Sequence, residues 1–220
     1  MLAAVGSGDA KKVAELMRQD PGFNVNKELD EYEWTLLHYA CWESRRFAVI
    51  PLLLAHPDID VNSRERFGRT PFHLACVNGR TSCVREMLRD YRVKVNEASN
   101  GGSTPLWRAA CEGHLDVIKW IASGREMDLG KPGDVYETDA IGAAKVRGHA
   151  DVVTLLERFQ SDAAKTRHAV RVELGLLDDL AAEMFALVVF VSDGLLQIKD
   201  TPPSPAVRFF TIATQLPLEL

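Results

Sequence analysis

The side chains in this chain best suited to chemistry are four cysteines and a set of histidines. Thiols at Cys41, Cys76, Cys83 and Cys111 are candidate zinc ligands or disulfide partners. None of them forms a C-x-x-C pair, so their spacing does not support a zinc site. They read instead as small buried hydrophobes, kept reduced as thiols are in the cytosol or nucleus. His38, His73, His114 and His149 do not stand at metal-ligand spacing with carboxylates. No G-x-S-x-G, P-loop, H-E-x-x-H or G-x-G-x-x-G pattern occurs in a supporting context. Asp178, Asp179 and Glu183 fall on one predicted helix, where capping or a solvated face accounts for them. The chain therefore reads as a non-enzyme, with no catalytic residue, cofactor or metal expected.

The histidines and cysteines mark a repeat. Gly68-Arg69-Thr70-Pro71-Phe72-His73-Leu74-Ala75-Cys76 recurs as Gly102-Ser103-Thr104-Pro105-Leu106-Trp107-Arg108-Ala109-Ala110. A weaker copy is Glu33-Trp34-Thr35-Leu36-Leu37-His38-Tyr39-Ala40-Cys41. Successive threonines stand 35 and 34 residues apart. A period of about 33 residues around T-P-L-H-x-A is the ankyrin signature, and the chain resembles the ankyrin-repeat family. The resemblance covers residues 1–159, roughly three quarters of the chain. It implies an all-α solenoid of stacked helix-turn-helix units with hairpin loops, and such solenoids bind rather than catalyse. Five units are expected, at about 1–32, 33–66, 67–100, 101–135 and 136–159, followed by a helical extension over 160–220.

Each unit contains the signals its helices need. Thr70 is placed to cap a helix that Pro71 opens, since a first-turn proline lacks only an amide that would be orphaned anyway. Gly79 ends that helix at a position needing positive φ. A second helix follows from about Thr81 to Arg89, with Val84, Met87 and Leu88 on its apolar face. The next unit repeats this grammar through Thr104-Pro105 and Gly113-His114. In the unit before it, Leu36 replaces the proline, Ser44-Arg45 replaces the Gly-His turn, and Pro51 falls in the first turn of the second helix or kinks it. The last unit is degenerate: Asp139 stands where the threonine should cap. His38 and His73 fill the motif histidine slot, a structural place in the family. Trp107 replaces that histidine and is expected to leave Thr104 without its partner.

In the family a partner binds a concave surface made of hairpin tips and first-helix faces. Carried onto this chain, the contact residues are Tyr32, Trp34, Trp42 and Glu43 in the second unit, and Arg66, Phe67, Arg69 and Asn78 in the third. Glu112 follows in the fourth unit, with Tyr136 and Arg147 in the fifth. Ser103 and Cys111 are counted on the same surface. Large aromatic and arginine side chains of this kind dominate interface hot spots. For Trp34 and Trp42, packing on each other is the alternative. Charge segregates too, with Asp30, Glu31 and Glu33 at one tip and Arg64, Arg66 and Arg69 at the next, a pattern that steers a dipolar partner. Solvated loop charges are the other reading.

A net charge of −5 lacks the basic footprint of a nucleic-acid binder. The longest apolar stretch, Met184 to Val191, is far short of the roughly 18–20 residues a membrane helix needs. The N-terminus has no basic n-region for a signal peptide. A protein partner of unknown identity, no nucleic acid, no membrane, a monomeric state and a cytoplasmic or nuclear location are the expectations. Beyond Phe159, Asp162 to Leu174 reads as an amphipathic helix carrying Ala163, His168, Val170 and Val172. Leu176 to Val191 reads as a buried helix or strand, and Val207 to Thr214 as a short helix. Leu216-Pro217-Leu218-Glu219-Leu220 resembles the opening of an F-box-like segment, which makes a ubiquitin-ligase substrate adaptor the alternative to a plain interaction scaffold.

Overall fold

The computed structural model describes residues 1–20, 22–124, 127–129 and 138–176. The helices read over 176–191 and 207–214 and the F-box-like end lie outside the described residues, apart from Leu176 itself. Met1–Leu174 forms one compact unit.

Among the described residues, five helix pairs follow one another in this unit. They are α1 (Leu2–Ser7) with α2 (Ala10–Gln19), and α3 (Leu36–Trp42) with a 3₁₀ helix (Ser44–Val49) that runs into α4 (Ile50–Leu54). Then come α5 (Pro71–Val77) with α6 (Thr81–Leu88), α7 (Pro105–Cys111) with α8 (Leu115–Ser123), and α9 (Ala140–Arg147) with α10 (Ala150–Ser161). A further helix, α11 (Ala163–Glu173), follows. Among the described residues there is no strand. The first helices pack in sequence, α1 on α3, α3 on α5, α5 on α7 and α7 on α9. The second helices form a parallel row, with α6 against the 3₁₀ helix and α4, and α8 between α6 and α10. Between the rows lies one core, including Val13, Leu37, Ile50, Leu53, Phe72, Val84, Met87, Leu106, Ile118, Val152 and Leu156. Each aliphatic side chain so buried contributes about 1.5–3 kcal/mol over an exposed one.

The local signals act as read. Thr70 and Thr104 accept hydrogen bonds from the amides of His73 and Trp107, and Pro71 and Pro105 open their helices. Asp139 takes over the cap in the degenerate unit, accepting from Gly142 N. Gly79, Gly113 and Gly148 have φ of 65°, 74° and 80°. Pro51 sits in the first turn of α4, downstream of the 3₁₀ segment, so no interior hydrogen bond is lost.

Side chains join the units at three places. At the entry to the second helix, a nitrogen donates to a carbonyl at the end of the preceding first helix. Arg46 Nε reaches Gly6 O at 3.1 Å and Arg80 Nε reaches Trp42 O at 2.9 Å. His114 Nε2 meets Val77 O at 3.0 Å and His149 Nε2 meets Cys111 O at 3.1 Å. After the second helices, Asn26 bridges Asp58 O and Asp60 N, and Asn62 bridges Arg92 O and Lys94 N. At the motif slot, His38 Nε2 meets Arg69 O of the next unit at 3.1 Å. Trp107 Nε1 donates to Thr138 O at 2.9 Å. As expected, Thr104 lacks a ring-nitrogen partner and keeps only its amide cap, while the indole N–H replaces the imidazole N–H as the inter-unit donor.

The helix α11 packs on α8 and α10. Arg167 Nε donates to Gly124 O at 2.7 Å and Arg171 Nε to Ser123 O at 2.8 Å, satisfying carbonyls at the end of α8. Its buried face is Thr166 and Val170. Val172 is 56% exposed and His168 is also exposed, so the expected apolar face is rotated. The Arg167 and Arg171 bonds to α8 fix that rotation.

Candidate partner-binding surface

The loops that precede α3, α5 and α7 share one construction. In each, an amide donates back across a tight turn: Glu33 N to Asp30 O, Gly68 N to Glu65 O, and Gly102 N to Ser99 O. The donor residue has positive φ in all three, 64° at Glu33, 74° at Gly68 and 76° at Gly102. A second bond closes each loop base, from Leu29 N to Trp34 O, Glu65 N to Arg69 O, and Ser99 N to Ser103 O. Neighbouring tips are joined by Arg66 N to Tyr32 O at 3.0 Å and Asn100 N to Phe67 O at 2.9 Å. These hairpin loops thus form a row, held in register by backbone bonds.

Two carboxylates organise the first two tips. Asp30 Oδ1 accepts from Tyr32 N and Trp34 N, and its Oδ2 accepts from the Tyr39 hydroxyl at 2.6 Å. Burial pushes the Asp30 carboxyl up, but those hydrogen bonds outweigh it and hold it below the usual carboxylate range. The same Asp30 bond pushes the Tyr39 phenol up to about 12. Glu65 stands in the corresponding place and is buried. Its Oε1 accepts from Phe67 N, Arg69 N and Arg69 Nε, each at 3.0 Å. Asp30 and Arg69 are therefore framework charges rather than free steering charges, as is Arg64, paired with Glu97 at 2.6 Å. Glu31, Glu33 and Arg66 remain exposed.

The sequence-predicted contact residues distribute along this row and at the far ends of the first helices. Tyr32, Trp42 and Phe67 are exposed at 43%, 37% and 51%. Trp34 is half-buried and lies at the centre of an aromatic group, with ring centroids 5.2 Å from Trp42 and 5.1 Å from Tyr39. The two tryptophans do pack together, and Trp42 still presents a face to solvent. Arg69 lies over the Phe67 ring, 5.1 Å from its centroid. Glu43 pairs with Arg45 at 2.6 Å and Arg46 at 3.2 Å. Asn78 closes α5 through Nδ2 to Leu74 O. Glu112 and Arg147 are exposed at the ends of α7 and α9. Tyr136 lies outside the described residues. Ser103 and Cys111 do not belong to the surface: both are buried, Cys111 packing with Trp107 and Ala143. The large indole, standing where other units have histidine, covers the α7–α9 junction.

The buried histidines and thiols have structural surroundings. Thr35 N donates to His38 Nδ1, which leaves the hydrogen on Nε2 for Arg69 O. Burial pushes His38 down to about 4 and His73 down to about 3. Neither ring nitrogen of His73 has a hydrogen-bond partner. All four cysteines are free and buried. Among the described residues no group of three or more His, Cys, Asp or Glu is placed to hold a metal ion. None of their helices is long and apolar enough to cross a membrane.

Paired helices at this spacing, joined tip to tip by backbone bonds, match a known family. The family model described as ankyrin repeats, in three copies, fits residues 46–131. The chain carries ankyrin repeats over these residues. Human SMC5-SMC6 complex localization factor protein 1 is 30% identical over 158 residues, 64% of this chain and 14% of that protein. A probable E3 ubiquitin-protein ligase, XBOS31 of Oryza sativa subsp. japonica, is 30% identical over 122 residues, 55% of this chain and 26% of the ligase. Ankyrin repeat-containing protein ITN1 of Arabidopsis thaliana is 28% identical over 124 residues, 46% of this chain and 21% of ITN1. The ankyrin chain thus spans about a quarter or less of the length of these relatives. Ankyrin repeats carry a protein–protein interaction role, and the chain shares it at that level.

Proposed function

We propose that this chain is a non-catalytic interaction scaffold that grips one partner protein on its row of loop tips and first-helix ends. The observation that carries the reading is the exposure of Tyr32, Trp42 and Phe67 on a backbone held rigid by tip-to-tip bonds. Aromatic anchors on a preformed surface bind with little ordering cost. Glu43, Arg66, Arg69, Asn78, Glu112 and Arg147 complete the contact set, together with Trp34 behind Trp42. A monomeric chain with its own continuous core suits this role. A nuclear place of action is favoured by the relative named for localising an SMC5-SMC6 complex. The test compares affinity-purified partners of the wild-type chain with those of Trp42→Ala and Phe67→Ala, with folding checked by circular dichroism. Loss of an aromatic anchor should lower affinity by about 2 kcal/mol, roughly thirtyfold. Unchanged recovery from both folded variants would remove this surface from the assignment.

Two relatives named as E3 ubiquitin-protein ligases favour a second reading, in which the repeats select a target for ubiquitin transfer. Ubiquitin-ligase subunits recovered with the chain, independently of Trp42 and Phe67, distinguish an adaptor from a plain scaffold.

A further inference from the structure

We propose that the cleft between the loop tips that precede α5 and α7 receives an acidic segment of the partner protein, with Asp and Glu carboxylates meeting the guanidinium groups of Arg66, Arg69 and Arg108. This rests on the interaction-scaffold reading above and names the chemistry of what that scaffold binds.

The cleft measures about 350 Å³ and is lined by Arg66, Phe67, Arg69, Asn100, Gly101 and Arg108 among others. Among the described residues its lining carries three arginines, Arg66, Arg69 and Arg108, and no acidic side chain, while Glu65 and Glu97 are the partners of Arg69 and Arg64. Both glutamates are already engaged, Glu97 by Arg64 and Glu65 by two backbone amides and Arg69. The Arg66 side chain is exposed and makes no ion pair with the described residues. Glu65 holds Nε and Nη2 of Arg69, and Nη1 has no partner among the described residues. Arg108 is steadied by Ser103 Oγ at 3.3 Å and by the Trp107 ring, 5.4 Å from its centroid. Planar guanidinium groups held in this way are suited to carboxylate recognition. Phe67 supplies an apolar wall for the methylene groups of a Glu side chain. The positive potential extends inward: after burial itself, Arg108, Arg69 and Arg64 are what hold the His73 ring neutral. The chain as a whole carries −5, so this cluster of arginines is local against the overall charge.

The probe is a short fluorescein-labelled peptide of alternating Glu and Ser, titrated with the full chain and followed by anisotropy. The matching Lys/Ser peptide and a single-stranded oligonucleotide of similar length serve as comparators. The Glu/Ser peptide should bind, weaken as salt is raised, and lose roughly tenfold or more in affinity with Arg66→Glu, while Arg66→Lys retains most of it. Arg66 is exposed at a tip, and circular dichroism should show both variants folded. Three results overturn the proposal: no binding of the Glu/Ser peptide, equal binding of the Lys/Ser peptide, or no effect of Arg66→Glu. Tighter binding of the oligonucleotide also overturns it, in favour of a general polyanion surface. A cellular partner lost with Trp42→Ala but retained with Arg66→Glu rejects the acidic segment and leaves the interaction surface standing. Retention by both variants rejects both.

Discussion

The two buried motif histidines make the stability of the repeat unit depend on pH in a window where carboxylates contribute little. An exposed histidine titrates near 6.5, whereas burial pushes His38 down to about 4 and His73 down to about 3. Above about pH 6.5 both rings are neutral in the folded and the unfolded chain. Below it the unfolded chain takes up protons that the folded chain refuses, so stability falls with pH by up to about 1.4 kcal/mol per unit for each ring. At pH 5, about 1.5 units below the unfolded value, each ring costs about 2 kcal/mol and the pair about 4. That is a large part of the roughly 5–15 kcal/mol that holds a domain folded. Asp30 and Asp90 are both held below their ordinary value of 3.8, so their contribution is lost only at lower pH. Urea unfolding monitored by circular dichroism, from about pH 7.5 to about pH 5, measures the slope. His73→Leu separates the two rings, because His73 has no hydrogen bond to lose. The variant should match or exceed wild-type stability at neutral pH and show about half the slope. A His73→Leu slope equal to that of the wild type would refute the reasoning, since His73 could not then be the group refusing the proton.

Four other outcomes follow from particular contacts. Glu33 holds a φ of 64° at a turn position occupied by Gly68 and Gly102 in the next tips, so Glu33→Gly should raise stability by about 0.5–1 kcal/mol in urea melts. Asn62→Ala removes bonds to Arg92 O and Lys94 N, each 2.8 Å, and should cost about 1–3 kcal/mol by the same measurement. Arg80→His should keep a donor for Trp42 O, as His114 does for Val77 O, whereas Arg80→Leu should lose about 1 kcal/mol more. Burial raises the Cys41 and Cys76 thiols well above their ordinary value, and with all four cysteines buried the native chain should react with an aromatic disulfide reagent only as fast as it opens.

Most of the scaffold was legible because its signals are local. A threonine before a proline caps whatever lies beyond it, and a glycine at positive φ ends a helix regardless of neighbours. What escaped depends on the adjoining unit. Cys111 and Ser103 occupy slots that are open in the family pattern, yet Cys111 is buried against Trp107 and Ala143, and Ser103 is buried at its loop base, bonded to Ser99. Trp107 itself read as a lost partner, because only the approach of Thr138 shows that an indole N–H reaches the same kind of carbonyl. Glu65 was not singled out from the sequence. A signal for it was present: Asp30 and Glu65 stand 35 residues apart, and each accepts amides two and four residues downstream. On the candidate surface, Tyr32, Trp42 and Phe67 were chosen from residue type and slot, and all three are exposed. The split between Arg66, which is free, and Arg69, which is tied to Glu65, required side-chain geometry.

The inter-unit bonds explain why family resemblance fades along this chain while its architecture does not. At the entry to the second helix, the acceptor is always a backbone carbonyl, at Gly6, Trp42, Val77 and Cys111. Backbone acceptors are present whatever the side chain, so the position requires only a nitrogen donor of suitable reach. Arginine meets that requirement twice and histidine twice, and at the motif slot histidine and tryptophan both serve. In a solenoid each unit answers mainly to its neighbours, so such exchanges cost little as long as each interface keeps its bond. The exposed positions are under no such constraint. Tyr32 and Phe67 fill equivalent tip slots, and nothing in the fold requires an aromatic ring at either. The proposed function accounts for large apolar side chains kept in water at sites the scaffold leaves free, as anchors for a partner. On the proposed reading, the specificity of this protein lies on the tips and first-helix ends rather than on the motif that makes it recognisable.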